Sequence, residues 1–234
     1  MKIFTGTSGY GYKEWKGNFY PAKLAAAKML AFYSSRLGAV EINNSFYRMP
    51  TPKVVNFWSS QVPESFLFAV KAPMMITHIK RLQNAAAETK FFLDSVSTLG
   101  KKLGCVLFQF PANFKDNQEA LKEYLTLIPT GIPCAFDFRN TTWHNTGTIN
   151  QLKKRKFCLC LEDTDDRPLR TIISAADWGY LRMRKLDYTK TDLKKLAGKV
   201  LAQKWKKAFV FFKHEDESAA KGPQLAETFG KLTG

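Results

Sequence analysis

The chain has 234 residues, 45% hydrophobic and 14% aromatic with 19 Phe, enough apolar surface for a large buried core and too much for a disordered segment. Its 36 basic and 20 acidic side chains give a formal net charge of +16, spread along the sequence with no charged tail, which disfavours cationic partners and favours anionic ones. No apolar run approaches the roughly 18 residues of a membrane span, and Met1-Lys2-Ile3-Phe4-Thr5-Gly6 turns polar too soon for a signal segment.

Eight short, apolar, β-rich runs follow one another in the chain: Ile3–Thr7, Ala39–Asn43, Leu67–Lys71, Cys105–Phe110, Cys134–Arg139, Phe157–Glu162, Gly179–Arg184 and Ala208–Lys213. Helical patterns lie between most of them. Leu24–Leu37 is Ala-rich with Met29, Leu30 and Tyr33 on one face, Pro52–Gln61 begins with the proline that first turns favour, and Ala85–Leu103 carries a stripe of Phe92, Val96 and Leu99. Gln118–Leu127, Thr148–Lys156, Lys190–Lys204 and Ser218–Lys231 complete the series; only Asp163–Ala176 lacks a long helix. Lys153-Lys154-Arg155-Lys156 ends one of these helices, where cations complement the dipole. Strand–helix alternation implies parallel strands joined by right-handed crossovers, and eight units close a barrel. An open doubly wound sheet would be announced by a glycine-rich phosphate loop, and neither GxGxxG nor GxxxxGK[ST] occurs. The expected architecture is α/β, a single (β/α)8 TIM barrel over residues 1–234. Cys105, Cys134, Cys158 and Cys160 sit in or beside strands with no CxxC or zinc spacing, as expected of reduced, buried thiols in a cytoplasmic protein with no membrane partner.

Parallel strands are covered on both faces and should read as unbroken hydrophobic runs. Here almost every strand turns polar at its C-terminal end: Thr5 and Thr7, Glu41 and Asn43, Lys71, Gln109, Asp137 and Arg139, Glu162, Arg182 and Arg184, and Lys213. Pairs two apart share a face, and the residues between them (Ile42, Phe136, Phe138, Leu181, Met183) suit the helix side. If the polar face points inward, these groups converge at the C-terminal mouth, where barrel enzymes place their chemistry. Three carboxylates meet five cations there, so a wholly self-neutralised ion-pair network is one reading and a site with room for an anion is the other.

The sequence therefore assigns Glu41 as general base, Lys71 as stabiliser of developing negative charge, and Asp137 and His78 as further acid–base candidates. Asn43, Gln109, Arg139, Arg182, Arg184 and Lys213 are expected to bind substrate, the guanidiniums gripping an anion through two hydrogen bonds at once. Tyr47 and Trp143 are candidate walls among the loop aromatics, with Tyr10, Tyr12, Trp15, Phe19, Tyr20 and Phe46; ordinary loop packing is the other reading of all of them. His78, His144 and His214 each follow a strand, but no two have helical ligand spacing, so no cofactor is expected and a divalent metal is the minor alternative.

Several segments together resemble the YecE-like family, also known as domain of unknown function 72 (DUF72). They are Gly6-Thr7-Ser8-Gly9-Tyr10 with Trp15, Gly17 and Phe19-Tyr20-Pro21; Val40-Glu41-Ile42-Asn43 with Ser45-Phe46-Tyr47-Arg48 and Pro50; and Phe68-Ala69-Val70-Lys71-Ala72-Pro73 with Ile76-Thr77-His78 and Arg81-Leu82. Leu107-Phe108-Gln109-Phe110-Pro111 and Phe136-Asp137-Phe138-Arg139 with Trp143 extend the likeness along nearly the whole chain. The resemblance implies a TIM barrel, related in fold to the endonuclease IV and sugar isomerase group, and implies no particular reaction. Three departures stand out. Asp137 occupies a position usually held by Glu, Arg182-Met183-Arg184-Lys185 lacks the family's seventh-strand His, and Lys213-His214-Glu215 replaces asparagines. All told, the sequence points to a hydrolase or lyase acting on a phosphorylated or otherwise anionic substrate. The alternatives are a non-catalytic nucleic-acid-binding protein and a Schiff-base aldolase using Lys71 or Lys213.

Overall fold

The computed structural model describes residues 1–213 and 220–234, so His214, Glu215 and the first two residues of the last predicted helix lie outside the described residues. Eight parallel strands form one sheet: β1 (Lys2–Thr7), β2 (Ala39–Ile42), β3 (Leu67–Lys71), β4 (Leu103–Phe110), β5 (Cys134–Phe138), β6 (Cys158–Asp163), β7 (Trp178–Met183) and β8 (Lys207–Phe212). Hydrogen-bonded neighbours run β1-β8-β7-β6-β5-β4-β3-β2, which is the order of a barrel opened between β1 and β2. The α-helices are α1 (Met29–Ser34), α2 (Pro52–Ser60), α3 (Ala86–Ser97), α4 (Gln118–Thr126), α5 (Thr146–Lys154), α6 (Lys190–Leu201) and α7 (Lys221–Thr233). The expected (β/α)8 barrel is the observed fold. No described helix is long and apolar enough to cross a membrane.

Two helices are shorter than the sequence pattern suggests. The first begins as a single 3₁₀ turn over Ala26–Lys28 and becomes α-helical only at Met29, because Ala25, Ala26 and Ala27 are exposed and give the backbone nothing to pack against. The third stops at Ser97: Gly100 adopts φ +55°, a left-handed conformation that ends a helix, and Leu103 already starts β4.

The barrel interior is asymmetric. Ala39, Ala69, Cys105, Ala135, Cys158 and Cys160 keep β2–β6 thin, and Trp178, Tyr180, Phe209 and Phe211 from β7 and β8 fill the space this leaves. All four cysteines are free and buried, and burial pushes their thiols up, away from the reactive thiolate. A larger apolar layer packs the outer strand faces against the helices.

The seam between β1 and β2 is closed by other means than a ladder. Tyr33 of α1 puts its hydroxyl between the strands, accepting from the Thr7 amide at 2.7 Å and donating to the Ala39 carbonyl at 3.1 Å. Gly6 lies so close that a Cβ would sit 1.9 Å from the Ala39 oxygen, so only glycine fits. Past it the Ser8–Glu41 bridge begins, with the Gly9 amide donating to the Glu41 carbonyl at 2.8 Å. Tyr33→Phe strands both backbone groups in a buried place, and urea unfolding should show a loss of about 1–3 kcal/mol. An unchanged midpoint would mean that water enters the seam.

This seam also corrects the inward reading of Thr5 and Thr7. Phe4 stacks on Phe209 inside the barrel, so β1 turns Phe4 and Ser8 inward, while Thr7 bonds Tyr33 and Thr5 abuts α7 at Gly230. A strand with small residues on both faces carries little hydrophobic contrast, and its parity is set by what it packs against.

Candidate active site at the barrel mouth

Strand parity carries Glu41, Lys71, Gln109, Asp137, Glu162 and Arg182 to the C-terminal end of the barrel, and Asn43, Arg139 and Arg184 stand one residue past their strands. In register, Gln109 lies beside Asp137 and Glu162 beside Arg182. Arg182 is the hub. Its Nε and Nη2 meet the two oxygens of Glu41 at 2.9 and 3.0 Å, and its Nη1 meets Asp137 Oδ2 at 3.0 Å. Tyr180 also donates to Glu41 at 2.7 Å, and Asn43 Nδ2 does so at 3.0 Å. Glu41 is fully buried and Arg182 is 1% exposed. An uncompensated pair of such charges would be costly, but four hydrogen bonds to one carboxylate leave it satisfied. Burial alone would raise the Glu41 pKa, but Arg182 and Arg184 together with the hydrogen bonds hold it well below the carboxylate range.

A second tier of ion pairs covers this one. Arg139 reaches Asp137 at 3.3 Å and Glu162 at 2.5 Å, while Arg184 stands 3.6 Å from Glu162 and 3.9 Å from Glu41. Arg167, from the helix-free loop between β6 and β7, stands 3.5 Å from Glu162.

Above these pairs opens a cavity of about 380 Å³. Its cations are Lys71, Arg139, Arg182 and Arg184, its aromatics Tyr12, Phe46 and Tyr47, and its neutral polar groups Ser8, Asn43 and Gln109. Among the described residues no carboxylate lines it: Glu41, Asp137 and Glu162 stand behind their arginines. Lys71 Nζ lies 4.2 Å over the face of Phe46. Burial, reinforced by Arg182, lowers its pKa to about 8. The Ser8 hydroxyl is buried and has no hydrogen-bond partner among the described residues.

The cavity thus gathers seven of the expected residues: Asn43, Tyr47, Lys71, Gln109, Arg139, Arg182 and Arg184. Tyr47 is the most open of them, 81% exposed on the rim. Glu41 and Asp137 lie beneath it. His78 sits just behind it, on a single π-helical turn (Met75–Ile79), edge-on to Phe46 at 4.8 Å with Nδ1 2.9 Å from Thr77 Oγ1. Burial and the nearby Lys71, Arg81 and Arg139 lower its pKa.

Two residues are not brought to the wall. Trp143 is wholly buried, stacked 4.4 Å from Phe138 with its indole N–H donating to the Phe114 carbonyl at 2.8 Å; it is a core residue because the 3₁₀ turn Thr141–Trp143 folds it back under β5. Lys213 follows β8 with its amide on the Met183 carbonyl at 2.9 Å and is absent from the lining. His144 Nε2 is 3.0 Å from the Phe138 carbonyl, and among the described residues no three His, Cys, Asp or Glu could together hold a metal ion.

The sequence reading missed Ser8, Tyr180 and Arg167 as site members, while Tyr12 and Phe46 belong to the loop aromatics it offered as pocket walls. The inward parity of Phe4 would have pointed to Ser8; no local signal marks Arg167. A second cavity, about 240 Å³, lies between β5 and β6, which pair only at Ala135–Cys158 and Phe136–Leu159 and then part. It shares Arg139 with the first and is flanked by Asp137, Glu162 and Arg167.

Comparison with known proteins matches residues 4–234 to the family model described as "Protein of unknown function DUF72". The UPF0759 protein YunF of Bacillus subtilis is 34% identical over 149 residues, 60% of this chain and 52% of that protein. The UPF0759 protein YecE of Escherichia coli K12 is 28% identical over 124 residues, 53% of this chain and 46% of that protein, so the matched stretch spans about half the length of these curated relatives. Among solved structures, a DUF72 family protein of Thermotoga maritima superposes with TM-score 0.84 at 24% identity, covering 99% of both chains. One of Enterococcus faecalis gives 0.80 at 20%, covering 99% of this chain and 95% of that one. At these identities the likeness is one of fold.

Proposed function

The chain belongs to the DUF72 family, whose description assigns no activity, and we propose that its barrel mouth is the active site of an enzyme acting on a small phosphorylated or otherwise anionic substrate, by hydrolysis or elimination. One observation carries this reading: the cavity wall has four cations, and the three nearby carboxylates are turned away behind them. A wall of that kind presents positive charge to the cavity, where it attracts an anion. Arg139 and Arg184 are the natural anion grips, since both line the cavity and their side chains are 23% and 16% exposed against 1% for Arg182. Glu41 is a poor general base in this arrangement, because it is held ionised and shielded by Arg182; it fixes the hub instead. Lys71 takes the acid–base role, with Asn43, Gln109 and Ser8 orienting the substrate.

Thermal-shift measurements with inorganic phosphate, sugar phosphates, mononucleotides and a short oligonucleotide test the reading. A ligand at a hundred times its dissociation constant stabilises by about 2.7 kcal/mol, so weak binders register. The expected result is stabilisation by a phosphate compound that Arg139→Ala and Arg184→Ala both remove; no response to any of them would sink the proposal.

A second reading has its own support. At the opposite end of the barrel two grooves share Lys156 and Asp177, and Lys153, Lys154, Arg155, Lys204 and Lys207 also line them. Such a basic surface suits a polyanion. Oligonucleotide binding that survives Arg139→Ala and weakens steeply with salt would favour nucleic-acid binding over the enzyme.

A further inference from the structure

Among the described residues, the three carboxylates beneath the cavity are each claimed by an arginine: Glu41 and Asp137 by Arg182, Asp137 and Glu162 by Arg139, and Glu162 again by Arg167 and Arg184. Lys71 is treated differently. Among the described residues no carboxylate stands within ion-pairing distance of it, and its Nζ rests on the face of Phe46 at the cavity wall. An aromatic face supports an ammonium without removing its proton and without blocking the lone pair once the proton leaves. The arginines pair with these three carboxylates, so among the described residues the one primary amine on the wall has no carboxylate at ion-pairing distance. It is also the only one of the four wall cations whose nitrogen can act as a nucleophile, since a guanidinium stays protonated in proteins.

We propose that Lys71 forms an imine with a small aldehyde or ketone that carries a phosphate or carboxylate, the anionic group being gripped by Arg139 and Arg184. This rests on the anion-binding reading of the mouth and adds the identity of the reacting group and the class of substrate. The Nζ lone pair attacks the carbonyl carbon, a C–N bond forms, and the π electrons of the C=O pass to oxygen, which takes up a proton as the nitrogen gives one up. A second proton, taken from solvent, converts that hydroxyl to water, and the nitrogen lone pair expels it and leaves a protonated imine; no oxidant or reductant is required. The buried Ser8 hydroxyl, which has no hydrogen-bond partner among the described residues, is on the same wall and is available to the carbonyl oxygen. With a pKa of about 8 the amine is neutral in about a tenth of molecules at pH 7, where an ordinary lysine is neutral in well under a thousandth.

The test uses pyridoxal 5′-phosphate, a phosphate-bearing aldehyde, beside pyridoxal, which lacks the phosphate, each followed by borohydride reduction and peptide mapping. The proposal expects one dominant adduct, at Lys71, formed at least about tenfold more readily with the phosphate than without it, as a charge-assisted hydrogen bond would give. Inorganic phosphate should compete, and the rate should level off above about pH 8. Lys71→Arg keeps the charge and the fold but removes the nucleophile, so it should bind phosphate as the wild type does and form no adduct at this position. Label scattered over surface lysines and absent from Lys71 overturns the imine; if inorganic phosphate still stabilises the protein through Arg139 and Arg184, the anion site survives alone. Equal labelling of Lys71 by both aldehydes, with no competition from phosphate, overturns the substrate class and the anion reading together.

Discussion

Replacing Arg182 by Met is expected to destabilise the fold by about 3–5 kcal/mol, the range seen when one partner of a buried ion pair is removed. The side chain is 1% exposed and makes three hydrogen bonds, two to Glu41 and one to Asp137, so its loss leaves two buried carboxylates without the cation that bridges them, and only the longer contacts of Arg139 and Arg184 remain. Against a typical total stability of about 5–15 kcal/mol this is a large fraction, and urea unfolding should show the midpoint fall by about a fifth or more. Adding Glu41→Gln to the variant should recover part of the loss, because it removes one of the stranded charges and keeps the shape. If Arg182→Met unfolds at the wild-type midpoint, the network contributes nothing to stability.

The pH dependence gives a second check on the same pair. The folded-state pKa of Glu41 is depressed, so its contribution is fully present above its unfolded value of about 4.5 and is lost as pH falls below that toward the folded value. Wild-type stability should therefore decline steeply below about pH 5. In Arg182→Met the largest cause of the depression is gone, and the acid limb should be flatter over the same window.

Lys71→Met should do the reverse: stabilise the protein at pH 7 by about 1–3 kcal/mol while removing the proposed imine-forming amine. Lys71 is a partly buried cation with no carboxylate at ion-pairing distance among the described residues, and Met retains the apolar stem that packs on Phe46. The sign follows from the direction of the shift. The folded pKa is lowered from 10.5 to about 8, so the folded state disfavours the charged form. That penalty is present in full below about pH 8 and fades as pH rises from 8 toward 10.5, where the unfolded chain also loses its proton. A shift of this size corresponds to about 3 kcal/mol as an upper bound. Stability curves at pH 7 and pH 10 should show the variant ahead at the first and its lead reduced at the second. A variant less stable than wild type at pH 7 would mean that Lys71 is a structural cation. A gain in stability with loss of activity is the usual mark of a residue kept for function.

Much of the mouth was legible before any coordinate was known, because strand parity is a local property. Glu41 and Asn43, Asp137 and Arg139, and Arg182 and Arg184 are each two apart with a large apolar residue between, and the barrel puts each pair at the mouth. Parity failed where contrast was missing: in β1 the inward residues are Phe4 and Ser8, because Gly6 has no side chain to declare a face and Thr5 and Thr7 suit either. It also failed past the strand ends. Nothing in the run Arg139-Asn140-Thr141-Thr142-Trp143 says that the indole turns back onto Phe138 instead of facing a ligand.

By itself the sequence determined the eight alternating strands and helices, the burial of the cysteines, and the gathering of charge at one end of a barrel; each follows from periodicity and from the short reach of the connections. Only the tertiary structure decided which charges meet. Arg182 reaches Glu41 across 141 residues of chain and Asp137 across 45, and the bond lengths that make Glu41 a support and leave Lys71 on the open wall depend on angular position around the barrel. A side chain's sequence neighbours fix the face it occupies; its counter-ion is chosen by strands that closure brings opposite, and that information is spread over the whole chain.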